Sequence, residues 1–218
     1  LKIVNISKNL QNVGLFGVLD GAVVKNLAIE DARVYGYNHV GILAGQIKGE
    51  SVITDVTVEG TAAANTSSGG YASDAAVGGL VGKISGSNSG SRATIENVTA
   101  TVNTVNLGAI SKTGGIAGEV SNAYIVDTSV SATGNNILGR YYVGGIVGAM
   151  SSGTSIYNVS VDGTIGGNGA YAVGGITGYY EGGEIVVARM FGEIGKTNAG
   201  TAREGIFIGT RKDSVDMK

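Results

Sequence analysis

The sequence predicts an all-β fold, a parallel β-solenoid (β-helix) of about six to seven coils built from repeats of about 30 residues. Three observations predict it. A short glycine anchor recurs seven times, a β-branched segment centred on Asn or Asp recurs between anchors, and the composition suits a packed stack.

The anchor comes first. It reads Val13-Gly14-Leu15-Phe16-Gly17, Val40-Gly41-Ile42-Leu43-Ala44-Gly45, Val77-Gly78-Gly79-Leu80-Val81-Gly82 and Thr113-Gly114-Gly115-Ile116-Ala117-Gly118. Val143-Gly144-Gly145-Ile146-Val147-Gly148, Val173-Gly174-Gly175-Ile176-Thr177-Gly178 and Glu204-Gly205-Ile206-Phe207-Ile208-Gly209 complete it. The final glycines lie 28, 37, 36, 30, 30 and 31 residues apart. A small coil section forces backbones close together, which glycine tolerates best. One apolar residue per anchor is expected to point inward. These residues form a spine of Leu15, Leu43, Leu80, Ile116, Ile146, Ile176 and Phe207. Burying each fully contributes roughly 1.5–3 kcal/mol.

The second segment follows each anchor. Examples are Val24-Lys25-Asn26-Leu27-Ala28-Ile29, Ile53-Thr54-Asp55-Val56-Thr57-Val58 and Ile156-Tyr157-Asn158-Val159-Ser160-Val161. Alternation of period two argues strand, and β-branched residues suit a pleated, half-buried surface. The alternation changes phase at the polar residue, which reads as a corner. Asn and Asp favour corners because their short side chains bond nearby backbone. Stacking then places Asn26, Asp55, Asn97, Asp127 and Asn158 in one column, an amide ladder. A sixth copy is read as Val186-Val187-Ala188-Arg189-Met190-Phe191, without its polar residue. Ile3-Val4-Asn5-Ile6 is read as one more copy before the first anchor.

Composition agrees. Gly is 39 of 218 residues and Pro is absent, which excludes collagen and Pro-rich linkers. Only 15 % of residues are charged and 43 % are hydrophobic, the reverse of a disordered chain. A net charge of −2 carries no basic stripe for nucleic acid. Without Cys there is neither a disulfide framework nor a thiolate metal site. No apolar run reaches the roughly 20 residues that span a bilayer. Residues 1–218 are expected to form a single domain, about 30–35 Å tall at roughly 4.8 Å per coil. With no initiator Met and an opening inside a coil, the chain is expected to be a fragment of a larger protein. Insertions near 62–76 and 85–92, rich in Gly, Ser and Asn, read as surface loops. Arg211-Lys212-Asp213 breaks the apolar pattern and reads either as the end of the stack or as the lead into a next module.

The anchor Gly-Gly-Leu/Ile-X-Gly followed by an Asn-centred strand resembles the GLUG repeat. The resemblance covers residues 3 to 209. It implies a bacterial cell-surface protein, because GLUG repeats occur in adhesins and in the non-catalytic N-terminal region of IgA-specific metallopeptidases. The zinc motif of those peptidases, His-Glu-X-X-His, has no match. The chain has one histidine, His39.

Candidate chemistry is sparse. A zinc site recruits several ligands, and a serine triad needs a base that only His39 could supply. Neither is expected, and no cofactor is. Glu30-Asp31, Asp162, Glu181 and Glu184 could supply paired carboxylates for glycoside hydrolysis, but they read as turn residues. Gly166-Gly167-Asn168-Gly169 reads as a plain turn. The sequons at Asn5, Asn65, Asn97 and Asn158 read as products of the repeat. One column is more informative. It lies six and seven residues before each final glycine and holds Asn38 and His39, Ser111 and Lys112, Tyr141 and Tyr142, Tyr171 and Arg203. Tyr is 10 of 13 aromatics, and Tyr with Arg is a composition of recognition surfaces. Tyr141 and Tyr171 are expected to share a face as a platform, with Tyr142 on the opposite side.

The expected function is a non-catalytic extracellular module of a bacterial surface protein. It acts as a rigid spacer or ligand-display scaffold bearing a site for host glycan or glycoprotein beside other domains of its parent chain. A substrate-positioning segment of an IgA-type metallopeptidase is the alternative, and a carbohydrate-active β-helix enzyme the third.

Overall fold

The computed structural model describes residues 1–4, 11–64, 74–167, 169–195 and 203–212. The described residues form strands and turns, with no helix. The strands assemble into three seven-stranded parallel sheets, each coil giving one strand to each sheet. The long sheet holds Lys2–Val4, Val23–Gly36, Val52–Ala64, Ala93–Asn106, Ala123–Gly139, Ser155–Gly166 and Glu184–Ile194. The lead sheet precedes the anchors: Asn12–Val13, His39–Val40, Ala76–Gly78, Lys112–Gly114, Tyr142–Gly144, Ala172–Gly174 and Arg203–Gly205. The trailing sheet follows them: Phe16–Asp20, Ala44–Lys48, Val81–Ser85, Ala117–Ser121, Val147–Met150, Thr177–Tyr180 and Ile208–Arg211. This is the predicted parallel β-solenoid.

The anchor glycines let lead and trailing strands of neighbouring coils touch backbone to backbone. A Cβ on Gly82 would lie 2.4 Å from Val40 N, and one on Gly118 2.4 Å from Val77 N. No side chain fits such gaps. Between them the spine is continuous, since Leu43 N bonds Leu80 O, Leu80 N Ile116 O, Ile116 N Ile146 O and Ile146 N Ile176 O. Leu43, Leu80, Ile116, Ile146 and Ile176 are wholly buried. Leu15 and Phe207 depart from the expected core: they keep 40 % and 46 % of their surface exposed. They lie in register with the others, but in the first and last described coils, where a neighbour covers one side only.

The corner column adopts left-handed backbone: Asn26 φ 55, Asp55 φ 56, Asn97 φ 51, Asp127 φ 48 and Asn158 φ 50. That conformation is costly for most residues, and Asn and Asp visit it most readily. It also explains the phase change. Ile53, Val56 and Val58 are all buried, as are Ile95, Val98 and Ala100, with two outward residues across each corner. Thr128 occupies an inward place and returns its hydroxyl to Val126 O at 2.9 Å.

Two register readings are corrected. Val159 pairs with Ala188 and Tyr157 with Val186, so the sixth corner is Val187 at φ 55, one residue before the place predicted. The apolar run there offers no polar landmark. Lys2–Val4 pairs with Arg33–Tyr35, beyond the corner of the next coil. It is therefore the late half of a long strand, and no corner copy. Asn5 and Ile6 lie outside the described residues, as do Asn65, Asn168, Asp213 and most of the 62–76 insertion.

Candidate functional site

The residues after the final anchor glycines face the residues of the lead strands across one crease. In register along the lead sheet run Asn12, His39, Ala76, Lys112, Tyr142, Ala172 and Arg203. Along the trailing sheet run Val18, Gln46, Lys83, Glu119, Ala149, Tyr179 and Thr210. Of the expected column, the structure gathers His39, Lys112, Tyr141, Tyr142, Tyr171 and Arg203 along this crease. Ser111 is instead wholly buried, its hydroxyl accepting Arg140 N and Tyr141 N at 3.1 and 3.2 Å.

The middle of the crease is charged. Lys112 Nζ bonds Asp74 Oδ1 at 2.6 Å and Glu119 Oε2 at 2.6 Å, and Lys83 Nζ meets Glu119 Oε1 at 2.8 Å. Burial pushes the Glu119 carboxyl up, but hydrogen bonds from Lys112 and Lys83 outweigh it and hold the group below its ordinary value. His39 sits beside this network with Nδ1 2.8 Å from Asn12 Oδ1. Burial and then Lys83 push its pKa down, which favours the neutral ring. That is a structural setting for the one histidine.

The C-terminal part is aromatic. Tyr141 and Tyr171 stack with ring centroids 4.9 Å apart and planes 12° apart. Tyr142 stacks on Tyr179 at 4.7 Å and meets Tyr141 edge-on at 4.5 Å. Arg203 lies 5.5 Å from the Tyr171 centroid. Two expectations change. Tyr142 is not on the opposite side from Tyr141, because Tyr141 precedes the strand and strand alternation starts only at Tyr142. Nor do Tyr141 and Tyr171 form an open platform. Their rings share a face at the coil spacing, as expected, but they stack on each other and Arg203 lies over Tyr171, so the facing sides of the pair are covered. The Tyr142 hydroxyl is pushed well above its ordinary range, by burial first and then by its tyrosine neighbours.

Sequence reasoning missed Tyr179, Lys83 and Glu119. All three stand immediately after a final anchor glycine, so the signal was present in the repeat. Complementary charges at that place in successive repeats could have revealed it.

The corner column forms a second polar line. Asn97 Nδ2 donates to Asp55 Oδ1 at 2.5 Å, Asn158 Nδ2 to Asp127 Oδ1 at 2.6 Å, and Arg189 Nη1 to Asn158 Oδ1 at 3.2 Å. The ladder is thus made of amide–carboxylate pairs on an exposed edge. Burial therefore gives no ground for excluding modification at Asn97; its amide is occupied by Asp55. Of the carboxylates considered for hydrolysis, Glu181 is held by Lys212 at 2.7 Å and Ser151 at 3.0 Å, and Asp31 takes φ 49 at a bulge. Among the described residues no group of three or more His, Cys, Asp or Glu could hold a metal ion. No described helix is long and apolar enough to cross a membrane.

Fold and repeat together define a parallel β-solenoid made of coils of about 30 residues. The family model of the GLUG motif matches residues 73–106, which contain the third anchor and its corner strand. The crystal structure of a protein provisionally described as an immunoglobulin A1 protease, from Bacteroides ovatus, is similar in fold with a TM-score of 0.64. The two are 19 % identical, and the similarity covers 97 % of this chain and 66 % of that one, just under two thirds of its length. None of the curated proteins compared matches the chain in sequence.

Proposed function

We propose that the chain is a non-catalytic, extracellular spacer and display module of a bacterial surface protein. The observation that carries this reading is the unbroken spine, Leu43 to Ile176, inside three parallel sheets of seven strands. A stack tied coil to coil by backbone bonds resists bending, and its lateral faces vary without disturbing the core. The tyrosine-lined crease is the proposed contact surface for a host glycan or glycoprotein, centred on Tyr141, Tyr142 and Tyr171. With the facing sides of Tyr141 and Tyr171 covered, hydroxyls and ring edges would make much of the contact.

The fold similarity to the Bacteroides ovatus protein favours a second reading, a non-catalytic segment that positions substrate for a protease domain in the same parent chain. Three experiments test the proposal. Surface biotinylation of intact cells should label the parent protein; labelling only after lysis refutes the extracellular placement. Purified residues 1–218 should leave immunoglobulin A1 and a panel of polysaccharides uncut; turnover of any of them refutes the non-catalytic reading. Capture of host glycoprotein should fall with Tyr171→Ser if the crease is the contact surface, and unchanged capture places the contact elsewhere.

A further inference from the structure

We infer that the chain carries a ligand pocket for a carboxylate-bearing sugar residue, formed where the 85–92 insertion folds onto the start of the long sheet. The insertion is an ordered turn. Asn88 Oδ1 accepts Gly90 N at 2.8 Å and Ser91 N at 3.0 Å, and Ser87 N bonds Ser91 O at 2.9 Å. The turn ends on Arg92, whose Nε donates to Ser89 O at 2.9 Å and whose Nη1 donates to Ser155 Oγ at 3.2 Å, 63 residues away. Its guanidinium lies 4.6 Å from the Tyr124 ring centroid. A departure from the repeat thus fixes one cation at one place.

That place is an open cleft of about 450 Å³, broad enough to seat a single pyranose. Tyr124, Ser155 and Glu184 are consecutive rungs of one column on its wall, so Tyr124 and Glu184 stand roughly 9–10 Å apart. Among the described residues no carboxylate lies within 4.0 Å of Arg92, and its two hydrogen bonds leave donors over. Thr154 lies at the floor of the cleft. It is 1 % exposed, and its Oγ1 has no partner in the protein. A buried hydroxyl without a partner is costly, but this one is closed off from the cleft and adds nothing to ligand contact. Guanidinium for a carboxylate, Glu184 and Ser155 for ring hydroxyls, and a Tyr124 ring that holds the guanidinium in place together match an acidic monosaccharide. None of these residues belongs to the tyrosine crease, so this site stands independently of that surface.

The test is ligand-observed NMR and calorimetry on the whole chain at low salt, with glucuronic acid, N-acetylneuraminic acid, glucose and acetate as probes. At least one acidic sugar should bind in the millimolar range, with glucose and acetate at least about tenfold weaker. Arg92→Gln should weaken the acidic sugar about tenfold or more. Arg92→Lys keeps the charge but not the planar fork, and should weaken the acidic sugar severalfold while leaving glucose and acetate unchanged. The inference is overturned if neither acid binds, if glucose or acetate binds as well, or if Arg92→Gln binds like the parent. Should Arg92→Gln fail to fold, unchanged affinity in Arg92→Lys overturns it instead.

Discussion

The same truncation made at two places along the spine should cost different amounts. Ile146 is 0 % exposed and is bonded through its backbone to Ile116 at 2.9 Å and Ile176 at 3.0 Å. Ile146→Ala removes its methyl groups from a site closed above and below, where collapse is limited, and should cost about 2–5 kcal/mol. Leu15 lies in the same column with 40 % of its surface in solvent, so Leu15→Ala loses a partial transfer term, about 1–2 kcal/mol. For a domain of this length each kcal/mol moves the midpoint by about 2–4 °C. Ile146→Ala should therefore melt roughly 4–20 °C lower, and Leu15→Ala only a few degrees lower, as earlier fraying of the first coil. Urea and thermal melts followed by far-ultraviolet circular dichroism measure both. If the two variants lose the same stability within about 0.5 kcal/mol, the column is not a continuous buried spine. Ile146→Asp places an unpartnered charge there and should prevent folding.

Val187 holds a left-handed conformation that a β-branched residue tolerates poorly, so Val187→Asn should stabilise by about 1–2 kcal/mol in the same melts. Asn97→Ala, at φ 51, should cost about 1–2 kcal/mol. Asn97→Asp keeps the backbone preference but sets a carboxylate against Asp55; it should melt lower than the parent at pH 7 and regain that loss as pH falls through the carboxylate range. Glu119 has a folded-state value below its ordinary 4.5, so its contribution is present above that pH and is lost as pH falls below it through the folded value. Glu119→Gln should flatten that part of the stability profile, and an unchanged acid limb would show that the Lys83–Glu119–Lys112 network contributes nothing.

Asn26, Asp55, Asn97, Asp127 and Asn158 were legible as corners because the backbone demand acts within a few residues and selects side chains directly. Leu43 to Ile176 were legible as a spine because each coil buries the same place against the next. Val187 was misplaced because an apolar residue at a corner leaves no local mark, and only pairing with Asn158's strand locates it. Leu15 and Phe207 share the pattern of the spine but not its burial, since burial depends on having a coil on both sides.

The sequence by itself determined the solenoid, its coil length, the seven anchors and the five corners marked by Asn or Asp. Each is a short-range requirement repeated about every 30 residues, and repetition turns local preferences into a global axis. Only the tertiary structure decided what stands across from what. Tyr142 and Tyr179 are 37 residues apart in sequence yet stacked at 4.7 Å, and Arg92 meets Ser155 across 63 residues. Contacts between different sheets depend on how sharply the chain turns at each anchor and on how far an insertion folds back. Those angles are set by the packed glycine backbones, where no side chain is left to record them.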